Sequence, residues 1–370
     1  MADVQTPSRY KTLDAWRGAA ALAVVLFHCS NTIVTRESAT GRALLAGWAG
    51  VFLFFPISGY CILGAVDGHA DRTVGQFLVR RWRRIVPPYW ASVVLALAIA
   101  LAALPFNGGS AGDLLLPAHA WIAIATLTQG FTSHSGAINP VYWSLGYEEQ
   151  FYLVMALLLC APARMRSVTL TALTVGAAVY AAPHQPWMVR GLFLDYWMCF
   201  SAGCAAYVWL HRPTERRYAG ATLCVAMAWA AAYGNLAVGL SVATAVALIA
   251  LAPFDECLAA ALPVRMLSGI GVFSYSLYLV HVPIGGRVTN LLGRTSLPPA
   301  IIVPAAVAAS IAGGWVFWTL VERRAMSAAR TSTAPRVRAG RWARAGADAA
   351  SWTRIRDGLT PARGSAADTR

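Results

Sequence analysis

The residues best suited to chemistry are a histidine, two carboxylates and a group of arginines, each set in or beside an apolar run. Arg17 and His28 share the run Leu13 to Cys29, LDAWRGAAALAVVLFHC, eleven positions apart. On a helix rising 1.5 Å per residue they stand about 16 Å apart along the axis, so they serve opposite ends of one element. His28 lies among residues that leave its imidazole no water, and an ionisable group at that depth needs a partner. The carboxylates in a comparably apolar run are Glu148 and Glu149, in NPVYWSLGYEEQFYLVMALLLC. A pairing of His28 with Glu148 or Glu149 is therefore expected, and its chemistry is proton transfer. Adjacent helix positions diverge by about 100°, so one carboxylate faces the imidazole and the other faces another helix or a cavity.

The arginines form a second group. Arg80, Arg81, Arg83 and Arg84 lie in FLVRRWRRIVPPYW. Arg81 and Arg84, three apart, share a helix face and offer two planar forks to a phosphate, with Pro87 and Pro88 expected to fix the turn into the next span. The competing reading is a basic anchor whose side chains snorkel to lipid headgroups. His281, in SYSLYLVHVPI, is a further candidate at the end of an apolar run. Cys29 adjoins His28 but points elsewhere on the helix, where it acts as a small buried hydrophobe.

The elements that must hold these groups are membrane helices. Hydrophobic residues make up 58% of the 370 and charged residues 12%, about half the charge content of soluble domains. The expected fold is all-α, a polytopic transmembrane helical bundle of about ten spans: roughly 15–34, 43–66, 86–106, 141–161, 168–183, 191–210, 218–234, 236–252, 266–285 and 298–320. Segment 114–130 is ambiguous, and basic residues decide it. If it does not cross, 25 of the 30 lysines and arginines fall on the side of the N-terminus and 5 on the other; if it crosses, the split is 11 against 19. Positive-inside therefore favours ten spans, one re-entrant or interfacial segment, and cytoplasmic N- and C-termini. On this topology His28, Glu148, Glu149 and His281 lie toward the outer side and the arginine cluster on the inner face, the polarity that a reaction across the membrane requires. The net charge of +14 reads as topology rather than nucleic-acid binding. The first apolar run has no small-residue cleavage site and reads as a retained span. Seven cysteines without CxxC spacing support neither a zinc site nor a disulfide framework, so no metal is expected. Residues 1–322 are expected to form the membrane domain and 323–370 a basic, disordered cytoplasmic tail.

Five stretches together resemble the membrane acyltransferase-3 family. LDAWRGAAALAVVLFH is similar to its opening Arg, ten residues, His pattern. FFPISGYCI is similar to its FFxxSGF element, RRWRRIVPPYW to RRxxRIxPxYW, NPVYWSLGYEEQFYL to WSLxxEEQFYL, and FSYSLYLVHVPI to SYxxYLxHxP. The order is preserved from about Leu13 to Pro283. Trp16 stands where the family commonly has leucine, and Pro56 interrupts the usual FFV/I run. The resemblance implies an integral O-acyltransferase of the bacterial-type inner membrane. It would move an acyl group, most often acetyl, from cytoplasmic acyl-CoA to a hydroxyl of an exported carbohydrate or lipid-linked glycan. Acyl-CoA is then a cosubstrate, with no bound cofactor and no nucleic-acid partner. In that task His28 is the general base, Glu148 or Glu149 orients it, and Arg17, Arg81 and Arg84 hold the donor. Trp143, Ser144, Tyr275 and His281 are candidates for the acceptor side. The competing class is a proton-coupled transporter or flippase with a His/Glu relay, against which the sequence shows no internal repeat.

Overall fold

The segment WMCFSAGCAAYVWLH forms a helix in which Trp197 to Val208 are all buried, packed by the helices that hold Val51–Asp67, Ala163–Tyr180, Arg216–Tyr233 and Leu236–Leu251. Its alternation of Ala, Gly, Ser and Cys leaves room for backbones to approach, which is how helices associate where lipid removes the hydrophobic drive. In this computed structural model residues 10–68, 73–107, 115–183 and 185–327 are described. Regular structure among them is helical. In chain order the helices are α1 (Leu13–Ser30), α2 (Ala39–Leu45), α3 (Val51–Asp67), α4 (Val74–Asn107), α5 (Ala118–Ala125), α6 (Trp143–Leu158) and α7 (Ala163–Tyr180). They continue with α8 (Trp197–His211), α9 (Arg216–Tyr233), α10 (Leu236–Leu251), α11 (Asp255–Ala260), α12 (Leu262–Val272), α13 (Ser274–Leu292) and α14 (Pro299–Phe317). Most of the tail expected to be disordered, residues 328–370, lies outside the described residues.

Each of the ten apolar runs is helical, but the runs are not ten equal spans. Among the described residues, four stretches suffice by length and apolar composition to cross a bilayer: Ala39–Asp67, Val74–Phe106, Leu236–Ala260 and Pro299–Ser327. A fifth qualifies if α12 and α13, bent by 74°, count as one. The expected number is about ten. The difference arises because α1, α6, α7, α8 and α9 have only 15 to 18 residues, short of the roughly 20 that a 30 Å core demands. Several also carry charge, such as Asp14 and Arg17 on α1 and Glu148 and Glu149 on α6.

Two local expectations are corrected. The run 266–285 is not one helix but two, broken at Phe273. Pro87 and Pro88 do not turn the chain; α4 runs through them for 34 residues. A proline inside a helix removes a backbone bond and crowds the preceding turn. Neighbours pin this site, since Tyr275 donates its hydroxyl to the Ile85 carbonyl at 2.8 Å and Tyr89 donates to the Ile124 carbonyl at 2.8 Å. The ambiguous segment contains α5, whose eight residues span only about 12 Å. It is tied down by Trp90, whose Nε1 donates to the Ala125 carbonyl at 3.0 Å, and by Gln129, which donates to the Tyr142 carbonyl at 3.1 Å, while further on Asn139 donates to the Leu279 carbonyl at 3.0 Å.

Close helix crossings fix the elements that bear the functional side chains. A Cβ built on Gly18 would sit 2.0 Å from the Leu267 carbonyl oxygen, and one on Gly271 1.7 Å from that of Asp14, so α1 and α12 meet backbone to backbone. Likewise α3 and α8 meet where Gly203 faces the Pro56 carbonyl and Gly59 faces that of Phe200. At one end of α3, Asp67 accepts both a Nε donation at 2.9 Å and a second short one from Arg212, and pairs with Arg166 at 3.4 Å. Arg166 and Arg212 therefore act as partners in a half-buried ion network rather than as free lipid anchors.

Candidate active site

A cavity of about 770 Å³, its mouth included, opens among α1, α3, α4, α6 and α13. Arg17, Arg81 and Arg84 all line it, as do Ser58, Cys61, Ser144, Glu148, Tyr152, Tyr275 and Tyr278. The helices explain the convergence. Arg81 and Arg84 sit on one face of α4, as their spacing requires, and Arg17 reaches the same cavity from α1. Arg17 is partly neutralised, with Nη1 3.1 Å from Asp14 Oδ1 and Nη2 donating to Cys61 Sγ at 3.2 Å. Arg81 instead lies near the rings of Phe77 and Tyr152, its guanidinium carbon 5.6 and 5.8 Å from their centroids. Among the described residues neither Arg81 nor Arg84 has a carboxylate within salt-bridge distance. Two guanidinium groups without a salt-bridged carboxylate, in a cavity that Glu148 also lines, have donors to offer an anion.

Glu148 belongs to this cavity. Its Oε1 accepts hydrogen bonds from Ser58 Oγ, at 2.8 Å, and from the Tyr152 hydroxyl. Glu149 does not line the cavity, and its Oε1 is buried without a hydrogen-bond partner. The two carboxylates thus diverge as adjacent helix positions must, but no hydrogen bond or ion pair joins either of them to His28.

His28 meets His281 instead. His281 Nε2 is 3.3 Å from His28 Nδ1, and the ring centroids are 5.0 Å apart. His28 Nδ1 is also 3.0 Å from the Val24 carbonyl oxygen, and His281 Nδ1 is 2.8 Å from that of Tyr278. His281 is fully buried. The histidine pair does not line the arginine cavity. Tyr278 stands between the two: it lines the cavity, its ring lies 5.8 Å from His281 and 5.9 Å from Phe54, and its hydroxyl is 2.7 Å from Ser144 Oγ. Tyr275 lines the cavity near α4. Trp143 turns away into a ring cluster with Phe55, Tyr147 and Tyr196.

The structure therefore brings together Arg17, Arg81, Arg84, Glu148, Ser144 and Tyr275 in one cavity and His28 with His281 beside it. Residues that sequence reasoning did not place are Tyr152, which holds Glu148, and Glu322. The latter is buried and accepts from Ser276 Oγ at 2.5 Å. The signal for Glu322 was present, as an ionisable residue at the end of an apolar run. Tyr152 carried none apart from its place four residues after Glu148.

A family model for the acyltransferase domain of acyltransferase-3 proteins matches residues 10–319. The putative membrane-bound transacylase BcsY of Komagataeibacter xylinus is 30% identical over 77% of this chain and 75% of its own. The exopolysaccharide production protein ExoZ of Rhizobium meliloti (strain 1021) is 34% identical over 38% of this chain and 41% of its own. The peptidoglycan O-acetyltransferase OatA of Listeria monocytogenes is 24% identical over 39% of this chain and 23% of its own. The chain thus spans less than half the length of the latter two relatives. No solved structure matches it significantly. With its apolar helices and a family match over most of its length, this chain belongs to the acyltransferase-3 family of multi-pass membrane acyltransferases.

Proposed function

We propose that the protein is an O-acyltransferase that moves an acyl group, acetyl in the first instance, from acyl-CoA to a hydroxyl of an exported carbohydrate or glycolipid. The observation that carries the reading is the arginine cavity lying beside a histidine pair. Arg81 and Arg84, supported by Arg17, bind the phosphates of the donor on the cytoplasmic face. The pantetheine arm extends from that cavity, past Phe54 and Tyr278, toward His28. The separation of about 16 Å between Arg17 and His28 along α1 is a span that an extended arm, rather than a compact nucleotide, can bridge.

His28 acts there as general base. It removes the proton of the acceptor hydroxyl as the oxygen attacks the thioester carbonyl. The new C–O bond forms, the C–S bond breaks, and the imidazolium returns its proton to the departing thiolate. Such positioned proton transfer contributes about 100- to 10,000-fold. The carbohydrate acceptor is supported by what the relatives are named for, exopolysaccharide production and peptidoglycan O-acetylation. Ten crossings, cytoplasmic termini and an inner-membrane location complete the reading, which the distribution of basic residues supports.

Transfer of labelled acetyl from acetyl-CoA into envelope carbohydrate, by membranes bearing the wild type or His28→Ala, tests it. Label is expected with the wild type only. Wild-type labelling by His28→Ala removes the base assignment, and failure of both proteins in membranes containing the native glycans removes the donor or the reaction class.

A further inference from the structure

We propose that His281 is a positioning residue that fixes the tautomer of His28 and then stabilises its imidazolium, an inference that rests on His28 being the base. The argument follows from which atoms can donate. His281 Nδ1 is 2.8 Å from the Tyr278 carbonyl oxygen and 3.2 Å from that of Leu277. A carbonyl oxygen only accepts, so His281 Nδ1 carries the hydrogen, and in the neutral ring the lone pair is on Nε2. That Nε2 faces His28 Nδ1 at 3.3 Å. His28 Nδ1 is also 3.0 Å from the Val24 carbonyl oxygen. Both neighbours of His28 Nδ1 are then acceptors, and Nδ1–H is shared between them. The lone pair of His28 is thereby placed on Nε2, the atom left to take a proton.

The reverse arrangement fails. If His281 Nε2 donated to His28 Nδ1, the lone pair on that atom would face the Val24 oxygen at 3.0 Å, two acceptors in contact. The helices are also held so that the rings must meet. A Cβ on Gly285, one turn beyond His281, would lie 2.2 Å from Ser310 Oγ and 2.9 Å from Cys29 Sγ, and Thr289 donates its hydroxyl to the Cys29 carbonyl at 3.2 Å. When His28 takes the substrate proton on Nε2, its Nδ1–H becomes a cationic donor to His281 Nε2. A carboxylate performs this task in a Ser-His-Asp triad; in this pair a neutral imidazole, itself anchored by backbone, performs it.

The test uses full-length protein in detergent or nanodiscs, with His281→Leu, His281→Gln and His28→Ala. Leucine removes the acceptor; glutamine restores an oxygen acceptor at a similar reach. Expected for His281→Leu is a fall in kcat of about 10- to 100-fold, with the KM for acetyl-CoA within about twofold of wild type, whereas His281→Gln recovers to within about fivefold. Wild-type kcat in His281→Leu overturns the proposal. So does a Gln variant as slow as the Leu variant when both bind donor, since that pattern reports packing alone. Independently of any His281 variant folding, 15N NMR of the wild type labelled at histidine, with the His28 signal assigned by its loss in His28→Ala, should show Nδ1–H on His28. The Nε2–H tautomer overturns the proposal. Activity surviving in His28→Ala instead removes the base reading, a separate outcome.

Discussion

Replacing Arg81 by alanine should weaken donor binding more than the same change at Arg84 or Arg17. The ranking follows from surroundings. Arg81 is half-buried, near the rings of Phe77 and Tyr152, and without a salt-bridged carboxylate. Arg84 lines the same cavity but is exposed, so water and salt screen it. Arg17 already spends part of its charge on Asp14 at 3.1 Å. A hydrogen bond to a charged group contributes about 1.5–3 kcal/mol, and 1.36 kcal/mol is a factor of ten. Arg81→Ala should therefore raise the KM for acetyl-CoA by about 10- to 150-fold with a smaller change in kcat. Arg84→Ala should raise it by less than about tenfold. Arg81→Lys keeps the charge but loses the planar fork, and should fall between wild type and alanine. The assay is acetyl transfer against acetyl-CoA concentration at low and physiological salt. An Arg81→Ala enzyme with unchanged KM and reduced kcat would refute the donor-site reasoning, and a reversed order of Arg81 and Arg84 would refute the argument from burial.

Glu148→Ala strands the hydroxyls of Ser58 and Tyr152, each at a cost of about 1–3 kcal/mol, whereas Glu148→Gln keeps an oxygen acceptor for both. The alanine variant should melt well below the glutamine variant, and equal thermal midpoints would show that those two bonds do not hold the cavity wall. Asp67→Ala removes the shared partner of Arg212 and Arg166, although Arg212 keeps Glu215 at 3.0 Å; the loss should stay below the roughly 3–5 kcal/mol of a fully buried pair broken on one side, so thermal stability should drop while Asp67→Glu recovers part of it. A Cβ at Gly203 would fall 1.7 Å from the Pro56 carbonyl oxygen, a backbone atom that cannot swing aside. Gly203→Ala should therefore reduce the yield of monodisperse protein in size-exclusion chromatography, and a wild-type profile would mean that α3 and α8 can separate without loss.

How much of this was legible in the sequence depends on the range over which each signal acts. Arg81 and Arg84 reach one cavity because a three-residue spacing on a helix is a local rule, and local rules survive folding. The divergence of Glu148 from Glu149 is equally local. Which groups meet across helices is not local, and there the expectation fails: His28 finds His281 rather than a carboxylate. Apolar runs carry no code for rotation about the helix axis. That rotation is set by close approaches at glycine, such as Gly18 to the Leu267 backbone and Gly285 to the Ser310 side chain, whose partners are more than two hundred residues away in the first case and on the following helix in the second. The same limit explains Pro87 and Pro88. Their intrinsic preference is to end a helix, yet Tyr275 and Tyr89 brace that turn from α13 and toward α5, and α4 continues. Length and apolar composition alone pick out four or five of the ten expected spans among the described residues, because both are averages over a segment, whereas a short or charged helix such as α8 or α1 is buried in part by its neighbours. The candidate residues divide accordingly: Arg81 and Arg84 lie on α4, which is long and apolar enough to cross a bilayer, whereas Arg17, His28 and Glu148 lie on α1 and α6, shorter helices that carry charge. A search by length and hydropathy finds the first group and passes over the second, because burial by neighbouring helices leaves no mark in a segment average.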